Sequence, residues 1–287
     1  MISILIPTKN EAQDLPGCLQ SVAWCDDVHV YDSGSTDATI QMAHNFGANV
    51  VVHSYAPGLP IFGGDEAAHK NWALHNIPFK YPWVLHLDAD ERPTPELVES
   101  MRRAVESPGD TVAFRVQRRD FFLGTWLRHV QTSPFYLRLF RPEKMRYERL
   151  INPVSIPNGP TAQLDGYLDH YPFSKGMEHW LSRHNSYSTL EARQIVANRA
   201  SHTEFSLAKA LFSRDFHERR FHQKELFYRL PARPLIKFLY LYIARRGFLD
   251  GRAGYTYARL QSFYEYMIVL KTRELAIRDA DTGSGTL

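Results

Sequence analysis

Short apolar runs alternate with amphipathic stretches over the first ninety residues of the chain. The apolar runs are typical of buried strands and lie at 2–6 (ISILI), 28–31 (VHVY), 49–53 (NVVVH) and 83–87 (WVLHL). The stretches between them, at about 12–23, 36–46 and 65–76, have helical periodicity. Because strands that alternate with helices are joined by right-handed crossovers, this pattern predicts an α/β domain with a parallel sheet.

Polar clusters directly follow three of the four predicted strands. They are PTKNE at 7–11, DSGSTD at 32–37 and DADE at 88–91. The carboxyl ends of the strands form the ligand-binding edge of such a sheet, so carboxylates, hydroxyls and helix N-termini would gather where a nucleotide and a hard cation can bind. Asp88 and Asp90 can face one point where the strand turns, because Ala89 between them is small. Two carboxylates can share a divalent ion that also bridges a diphosphate.

The composition is that of a globular protein in a reducing compartment. Hydrophobic residues make up 44% and charged residues 23% of the chain, which excludes a disordered or collagen-like protein. Cys18 and Cys25 are too few for a disulfide scaffold and lack the spacing of a zinc site. The chain starts with a strand-like segment and shows no secretory signal pattern, so a cytoplasmic location is expected.

Four motifs resemble those of the family 2 glycosyltransferases, which are inverting enzymes of the GT-A fold. The motifs are ILIPTKNE at 4–11, VYDSGSTDAT at 30–39, HKNWAL at 69–74 and WVLHLDADE at 83–91. The resemblance covers about residues 1–190 and points to the branch that adds sugars to the lipopolysaccharide core or other bacterial surface glycans. It implies a GT-A type, Rossmann-like nucleotide-binding sheet, a nucleotide-sugar donor such as a UDP-sugar, and a Mn or Mg ion.

The same resemblance implies a set of site residues. The donor-binding residues would be Thr8, Asn10, Glu11, Asp32, Lys70, Asn71 and Asp88. Asp90 would be the principal metal ligand, with Asp88 and His170 as further ligands. Alternatives remain open for single residues, because Lys70 could equally be a solvated helix lysine and His170 could pack the segment that follows it. Asp37 is predicted to cap the helix at 36–46, and His69 and His86 are predicted to be structural.

The base that takes the proton from the acceptor hydroxyl is expected between 146 and 176. In the surface-glycan branch it lies in a His-Glu pair that precedes a glycine and a Leu-x-x-x-x-x-His stretch. Leu164 to His170 matches that stretch, but Asn152-Pro153 stands where His-Glu is expected. Proline cannot accept a proton, so Glu148 is the first candidate and Asp120 the second.

Glu148 also has a structural alternative, an ordinary ion pair with Arg146 or Arg149. The segment RRDFFLGTWLRH at 118–129 combines aromatic and basic residues, which suits a surface that stacks on sugars and pairs with phosphate. Trp126 and Arg128 are therefore predicted to bind the acceptor.

The last third of the chain is basic and rich in aromatic residues. Residues 201–278 hold 15 Lys and Arg against 7 Asp and Glu. The longest apolar run, at 235–244, contains Lys237 and is too short to cross a membrane. These features predict peripheral attachment to anionic lipid on the inner face of the bacterial plasma membrane. Packing on the catalytic domain or a dimer interface is the alternative, and nucleic-acid binding is disfavoured because no recognised motif accompanies the charge.

These observations predict a catalytic domain at 1–200, a helical membrane-associating region at 201–278 and a flexible tail at 279–287. The catalytic domain would have a nucleotide-sugar-binding half at 1–115 and an acceptor-binding half at 116–200. The predicted function is metal-dependent, inverting sugar transfer to a lipid-linked or lipopolysaccharide-core acceptor. One alternative is a nucleotidyltransferase, whose Gly-rich basic loop after the first strand is missing here. The other is a glycan-binding scaffold, which the altered His-Glu region leaves open.

Overall fold

The computed structural model describes residues 1–54, 65–148, 153–200 and 205–283. The chain divides into two compact units, the first comprising 1–121 and 133–175 and the second comprising 122–132 and 176–287. This division differs from the predicted boundary at residue 200, because helix α5 (Gly176–Ala200) packs along α9 (Gly251–Gly283) within the second unit. Residues 279–283 of the predicted tail continue α9, and 284–287 lie outside the described residues.

The N-terminal half of the first unit has the predicted alternation of strands and helices. Its elements are β1 (Ser3–Thr8), α1 (Leu15–Ser21), β2 (Val28–Asp32), α2 (Thr39–Phe46), β3 (Asn49–Val52), α3 (Glu66–Asn76) and β4 (Val84–His86). Strand β1 pairs in parallel with β2 and β4, and β2 pairs in parallel with β3. Helix α1 begins three residues later than expected, because the Glu11 carbonyl accepts hydrogen bonds from the amides of Asp14 and Leu15 in a turn.

The rest of the first unit makes the sheet mixed. The elements that follow in the chain are β5 (Glu91–Pro93), α4 (Pro95–Glu106), β6 (Ala113–Phe122), β7 (Thr125–Trp126), β8 (Phe135–Phe140), a 3-10 turn (Pro142–Lys144), β9 (Met145–Glu148), β10 (Val154–Pro157) and β11 (Thr161–His170). Of these, β7 belongs to the second unit. The sheet runs β3-β2-β1-β4-β8-β6-β11-β5. Strand β8 is antiparallel to both β4 and β6, β11 is parallel to β6, and β5 is antiparallel to β11. Strands β9 and β10 form a separate two-stranded antiparallel sheet.

One glycine allows β11 to approach α4. Gly166 has φ +90°, and a Cβ atom there would lie 2.4 Å from the backbone nitrogen of Leu97. Both the backbone conformation and the space therefore require glycine. This close contact seats β11 beside the first turn of α4, so that the end of β11 reaches the turn between β4 and β5.

The second unit is helical. Besides α5 and α9 it contains α6 (Leu207–Phe212), α7 (Phe216–Arg229), α8 (Arg233–Leu239), a π-helical turn (Tyr240–Ala244) and a 3-10 turn (Gly247–Asp250). The Asp250 carboxylate accepts backbone hydrogen bonds from His129, at 2.9 Å, and Val130, at 2.8 Å, which ties the segment 122–132 to these helices. Across the described residues, no helix is long and apolar enough to cross a bilayer.

Candidate active site

Arg138 organises the acidic turn that follows β4. Its Nη2 donates to Asp88 Oδ2 at 2.6 Å and to Glu91 Oε1 at 2.5 Å, and its Nη1 lies 3.1 Å from His86 Nδ1. Glu91 is completely buried and accepts a second hydrogen bond, from the Asp88 amide. Burial raises the pKa of Glu91, while Arg138 opposes that rise. One guanidinium thus balances two carboxylates beside the end of the strand.

Asp90 is linked to two residues that lie far from it in sequence. Its Oδ2 lies 3.2 Å from His170 Nε2, and the other ring nitrogen of His170 lies 2.5 Å from Asp120 Oδ1. Burial disfavours the charged imidazole, but the hydrogen bonds to Asp120 and Asp90 outweigh burial and raise the pKa of His170 to about 9. Asp120 is 2% exposed. The imidazole therefore bridges a buried carboxylate and a partly exposed one.

The strand register brings these three residues together. In the β6–β11 pair His170 stands opposite Asp120, and in the β5–β11 pair it stands opposite Glu91, the neighbour of Asp90. The amide of Tyr171 also donates to the Asp90 carbonyl at 3.0 Å. The last residue of β11 is consequently held between β5 and β6 at one edge of the sheet.

The Asp90 and His170 pair fits a hard divalent ion. Two adjacent ligands of a six-coordinate ion, each about 2.1 Å from it, are about 3.0 Å apart. The two ligand atoms here are 3.2 Å apart. Asp88 lies in the same turn, but its Oδ2 is bound to Arg138. Over the ranges that the structure describes, no group of three His, Cys, Asp or Glu side chains is arranged around an ion site. Two protein ligands suit an ion whose other ligands are waters and phosphate oxygens.

The Asp32 carboxylate, in contrast, is engaged by its own surroundings. Its Oδ1 accepts from the amides of Gly34 at 2.9 Å and Ser35 at 2.7 Å, and its Oδ2 accepts from the hydroxyls of Thr8 at 2.8 Å and Ser35 at 2.6 Å. Asp32 has no exposed surface. A carboxylate offers about four acceptor positions, and all four are used. Asp32 thus shapes the turn after β2.

The loop after β1 packs against that turn and against the segment after β11. Asn10, in the left-handed conformation with φ 56°, accepts from the Thr36 amide at 2.8 Å. Glu11 pairs with Lys175 at 2.7 Å. Burial raises the pKa of Glu11, against the effect of Lys175. Four predicted donor-binding residues, Thr8, Asn10, Glu11 and Asp32, therefore lie in one connected hydrogen-bonded region.

Lys70 and Asn71 have different surroundings, although they are neighbours on α3. The Asn71 side-chain nitrogen donates to the Tyr147 carbonyl, and its oxygen accepts from the Tyr147 amide, each at 2.8 Å. These two hydrogen bonds hold β9 against α3. The Lys70 Nζ lies 5.3 Å from the centre of the Tyr147 ring. Burial lowers the pKa of Lys70, while Asp88 opposes this. Lys70 is therefore a partly buried cation close to the acidic turn, and the solvated alternative does not describe it.

Three further residues, predicted to be structural, contact other groups of the protein: His69, His86 and Asp37. His69 is buried and lies within hydrogen-bond distance of the hydroxyls of Tyr31 and Ser33, and burial lowers the pKa of His69 to about 4. His86 is buried beside Arg138. Asp37 accepts from the Thr39 amide at 3.0 Å, but α2 begins at Thr39 and its N-cap is Ala38, so Asp37 lies one residue before the position of the predicted cap.

The remaining predicted residues have other surroundings. Glu148 alternates with the buried Tyr147 along β9, so its side chain points outward, is 53% exposed and pairs with Arg146 at 2.9 Å. This is the structural alternative foreseen for Glu148. Arg149 and Asn152 lie outside the described residues. Trp126 and Arg128 belong to the second unit, where the Arg128 guanidinium lies 5.4 Å from the Trp126 ring centre.

Sequence reasoning missed Arg138 and the link between Asp120 and His170. A signal for Arg138 was present, because an arginine in the middle of the apolar strand FYLRLF needs a buried anionic partner. Nothing in the sequence indicated that Asp120 would stand opposite His170, because the pairing depends on the register of two strands that lie 50 residues apart.

Comparisons with known proteins all find glycosyltransferases. A family model described as glycosyl transferase family 2 matches residues 3–61. The chain is 27% identical over 281 residues to the lipopolysaccharide core biosynthesis glycosyltransferase LpsC of Rhizobium meliloti, with 94% of this chain and 91% of that protein covered. A further relative is a glycosyltransferase of Rickettsia typhi, RT0209, 23% identical with 96% of this chain and 88% of that protein covered.

Two solved structures illustrate the more distant matches. TarS of S. aureus, residues 1–349 with UDP-GlcNAc, is 15% identical to this chain with a TM-score of 0.44. The match covers 92% of this chain and 91% of the TarS chain. Glucosyl-3-phosphoglycerate synthase of Mycobacterium tuberculosis, with Mn2+, UDP and glucosyl-3-phosphoglycerate, is 25% identical with a TM-score of 0.34 and covers 42% of this chain and 44% of its own.

Proposed function

We propose that this chain, which belongs to glycosyltransferase family 2, transfers a sugar from a UDP-sugar to a lipid-linked or lipopolysaccharide-core acceptor, with inversion and with the help of a divalent ion. The observation that carries the proposal is the Asp90 and His170 pair, whose spacing suits an ion at the carboxyl edge of the sheet. A relative with almost full coverage, named a lipopolysaccharide core biosynthesis glycosyltransferase, supports the acceptor class.

In this proposal the donor lies along the region formed by the loops after β1 and β2. Asn10, Glu11 and Thr8 would surround the base and ribose, and Asp32 would act there as well, chiefly by holding the turn that receives the base. Lys70 and Asp88 would lie near the diphosphate, where the partly buried ammonium of Lys70 offers a positive charge to phosphate. Asn71 would act indirectly, through the backbone of Tyr147.

Asp90 and His170 would hold the ion, and Asp88 would help through the oxygen that Arg138 leaves available. When bound, Mn or Mg would offset the negative charge that develops on the departing diphosphate. The protein's own contribution is orientation, because Arg138 fixes the acidic turn and Asp120 contacts the imidazole of His170. The acceptor hydroxyl would approach from the opposite face of the sugar, with Trp126 and Arg128 binding the acceptor and Glu148 taking the proton.

A donor screen tests the first part of the proposal. We expect UDP-sugars with Mn2+ to raise the melting temperature of the protein, because a ligand that binds the native state stabilises it. Slow hydrolysis of the preferred UDP-sugar is also expected when Mn2+ is present. A nucleotidyltransferase would instead require a nucleoside triphosphate, and a glycan-binding scaffold would turn over neither substrate.

The base is tested by comparing two variants. Glu148→Gln should lower the rate of transfer by about 100-fold or more and leave the affinity for UDP-sugar unchanged, because a base acts on the acceptor in the transition state. Arg146→Gln, which removes only the partner of Glu148, is the matched control. If Asp120→Asn shows this kinetic pattern and Glu148→Gln does not, the order of the two candidates is reversed.

Membrane attachment is the second part of the proposal, and an apolar surface of the second unit supports it. This apolar ridge consists of exposed side chains on the end of α8 and the two turns that follow it: Leu239, Tyr240, Ile243, Phe248 and Leu249. The exposed Arg246 lies within this segment, and the exposed Arg252 follows it in sequence. Exposed apolar side chains beside arginines are the composition of a segment that lies in the interface of an anionic leaflet.

Liposome binding tests this attachment. Each arginine near an anionic leaflet contributes about 1 kcal/mol, which salt weakens, whereas apolar burial is not screened. Binding to anionic liposomes should therefore weaken with salt without vanishing. Ile243→Gln should weaken it at every salt concentration, and Ile277→Gln, at an exposed position on α9, is the control. Absence of binding at low salt would remove the support for a lipid-linked acceptor.

A further inference from the structure

We propose that Asp120 is a positioning residue of the metal site, which holds the imidazole of His170 so that its Nε2 faces Asp90. The inference rests on the proposed function, because it concerns the ion that Asp90 and His170 would bind. The observation behind it is the chain of contacts from Asp120 through His170 to Asp90, with distances of 2.5 Å and 3.2 Å.

The two ring nitrogens of His170 have different partners. A neutral imidazole carries one N–H and one lone pair, and the partner of one nitrogen decides which role the other takes. In the ion-free protein both ring nitrogens lie against carboxylates. When an ion takes the place of the proton on Nε2, the remaining proton stays on Nδ1, where Asp120 accepts it, and the lone pair lies on Nε2, on the side of Asp90. The carboxylate therefore selects the tautomer that can bind an ion. Histidine ligands in metalloproteins commonly have such a carboxylate behind them.

Asp120 is itself held in place. Its Oδ1 lies 3.0 Å from Arg118 Nε, and the Arg118 guanidinium lies over the Tyr136 ring at 4.6 Å. Asp120 is 2% exposed and lies opposite His170 in the β6–β11 register. A carboxylate fixed by an arginine and by the sheet can impose an orientation on the ring that it contacts.

The role of Asp120 as a positioning residue differs from that of a base. A base must reach the hydroxyl of the acceptor and receive its proton. The Asp120 Oδ1 already contacts both His170 and Arg118, in a buried place between two strands. These contacts favour orientation over proton transfer. The two roles also respond differently to Asp120→Asn, because an amide oxygen can still accept from Nδ1–H but cannot serve as a base.

The test is the affinity of the full-length protein for Mn2+ in the presence of UDP, followed by the electron paramagnetic resonance signal of free Mn2+. Asp120→Ala should weaken Mn2+ binding by about 10–100-fold, the usual effect of removing a partner of a metal-bound histidine. Asp120→Asn should stay close to the wild-type affinity. Asp169→Ala removes a carboxylate next to His170 on β11 that pairs with Arg119, and this control should bind Mn2+ normally.

A measurement on the wild-type protein does not depend on the folding of the Asp120 variants. Nitrogen-15 NMR of the histidine rings with Mg2+ and UDP should show His170 protonated on Nδ1, with its signal identified by loss in His170→Gln. Protonation on Nε2 would overturn the proposal.

The outcomes separate this inference from the proposed function. If the wild-type protein binds no Mn2+ with UDP, the metal-dependent function and this inference both fail. If His170→Gln loses Mn2+ affinity while Asp120→Ala keeps it, the metal site stands and only the inference is wrong. If Asp120→Ala and Asp120→Asn both keep Mn2+ affinity but lose turnover, Asp120 is the base and not a positioning residue.

Discussion

Two acidic turns at the same edge of the sheet differ in where their carboxylates find partners. The turn after β2 contains Asp32, whose four contacts come from Thr8 and from residues 34 and 35. The turn after β4 contains Asp90, which contacts His170, a residue 80 positions later in the chain. The sequence made both aspartates strong candidates for ligand binding. The structure shows one that is internally satisfied and one whose contact an ion could replace.

The difference indicates that one turn contributes a fixed backbone shape and the other contributes negative charge. The Asp32 turn keeps its conformation through its own hydrogen bonds and needs no ligand to hold it. The Asp88–Glu91 turn combines three acidic residues and is balanced on one side by Arg138. Its Asp90 carboxylate pairs with His170, and this is the turn where the proposed function places the ion.

The largest expected effect is on turnover, from Asp90→Asn. This change removes a charged ligand from a partly exposed strand end, so we expect donor turnover with Mn2+ to fall by about 1,000-fold, consistent with several kcal/mol of charge stabilisation by a bound ion. The free energy of unfolding should change little. Asp32→Asn is the control from the other turn, because Asn can keep most of these hydrogen bonds. Near-normal turnover of Asp90→Asn would contradict the contrast between the turns.

The next effect is on stability, from Arg138→Met. The change would leave Glu91, which has no exposed surface, as a buried charge without its main partner. Breaking a buried ion pair in this way costs about 3–5 kcal/mol in the free energy of unfolding, measurable by urea titration. Arg103→Met, at an exposed position on α4, should change it by less than about 0.5 kcal/mol. Equal effects would mean that Arg138 does not hold the turn.

A smaller effect is expected from Asp32→Ala. The substitution leaves the amides of Gly34 and Ser35 without their acceptor, which should cost about 1–3 kcal/mol in the free energy of unfolding. Asp32→Asn should cost less, because its oxygen can still accept from the amides. If alanine and asparagine destabilise the protein equally, the internal hydrogen bonds are not what maintains the turn.

The smallest effect is a pH dependence carried by His69, which contacts Ser33 in the Asp32 turn. Its folded-state pKa is lowered to about 4 from an ordinary value of 6.5, chiefly by burial. Between these two values the unfolded chain binds a proton that the folded chain does not, so stability falls as the pH is lowered. The slope from this group is at most about 1.4 kcal/mol per pH unit.

Urea titrations at pH 7 and pH 5 can check this pH dependence. His69→Gln lacks the titrating group and should lose less stability over that interval than the wild-type protein. Equal losses would assign the pH dependence to other groups.

The strands, the helices of the N-terminal half and the family were accessible from the sequence. Apolar runs such as ISILI and WVLHL predict buried strands, because a short continuous run of apolar residues is typical of a strand covered on both faces. Gly47, with φ 87°, ends α2, as expected for a glycine that follows a helix. The motifs at 4–11 and 83–91 were enough to indicate a family 2 glycosyltransferase, and a family model of that description matches residues 3–61, while full-length relatives are named glycosyltransferases. All of these features depend on residues that are close together in the chain.

Only the tertiary structure decided which side chains of the candidate site contact one another. The same Asp-rich signal follows β2 and β4, and the sequence could not distinguish the saturated Asp32 from the available Asp90. Arg138 reaches Asp88 from β8, and Asp120 reaches His170 across the β6–β11 pair, with separations of 50 residues in both cases. The register of strands from distant parts of the chain sets such contacts, and a shift of one residue would turn each side chain to the opposite face of the sheet.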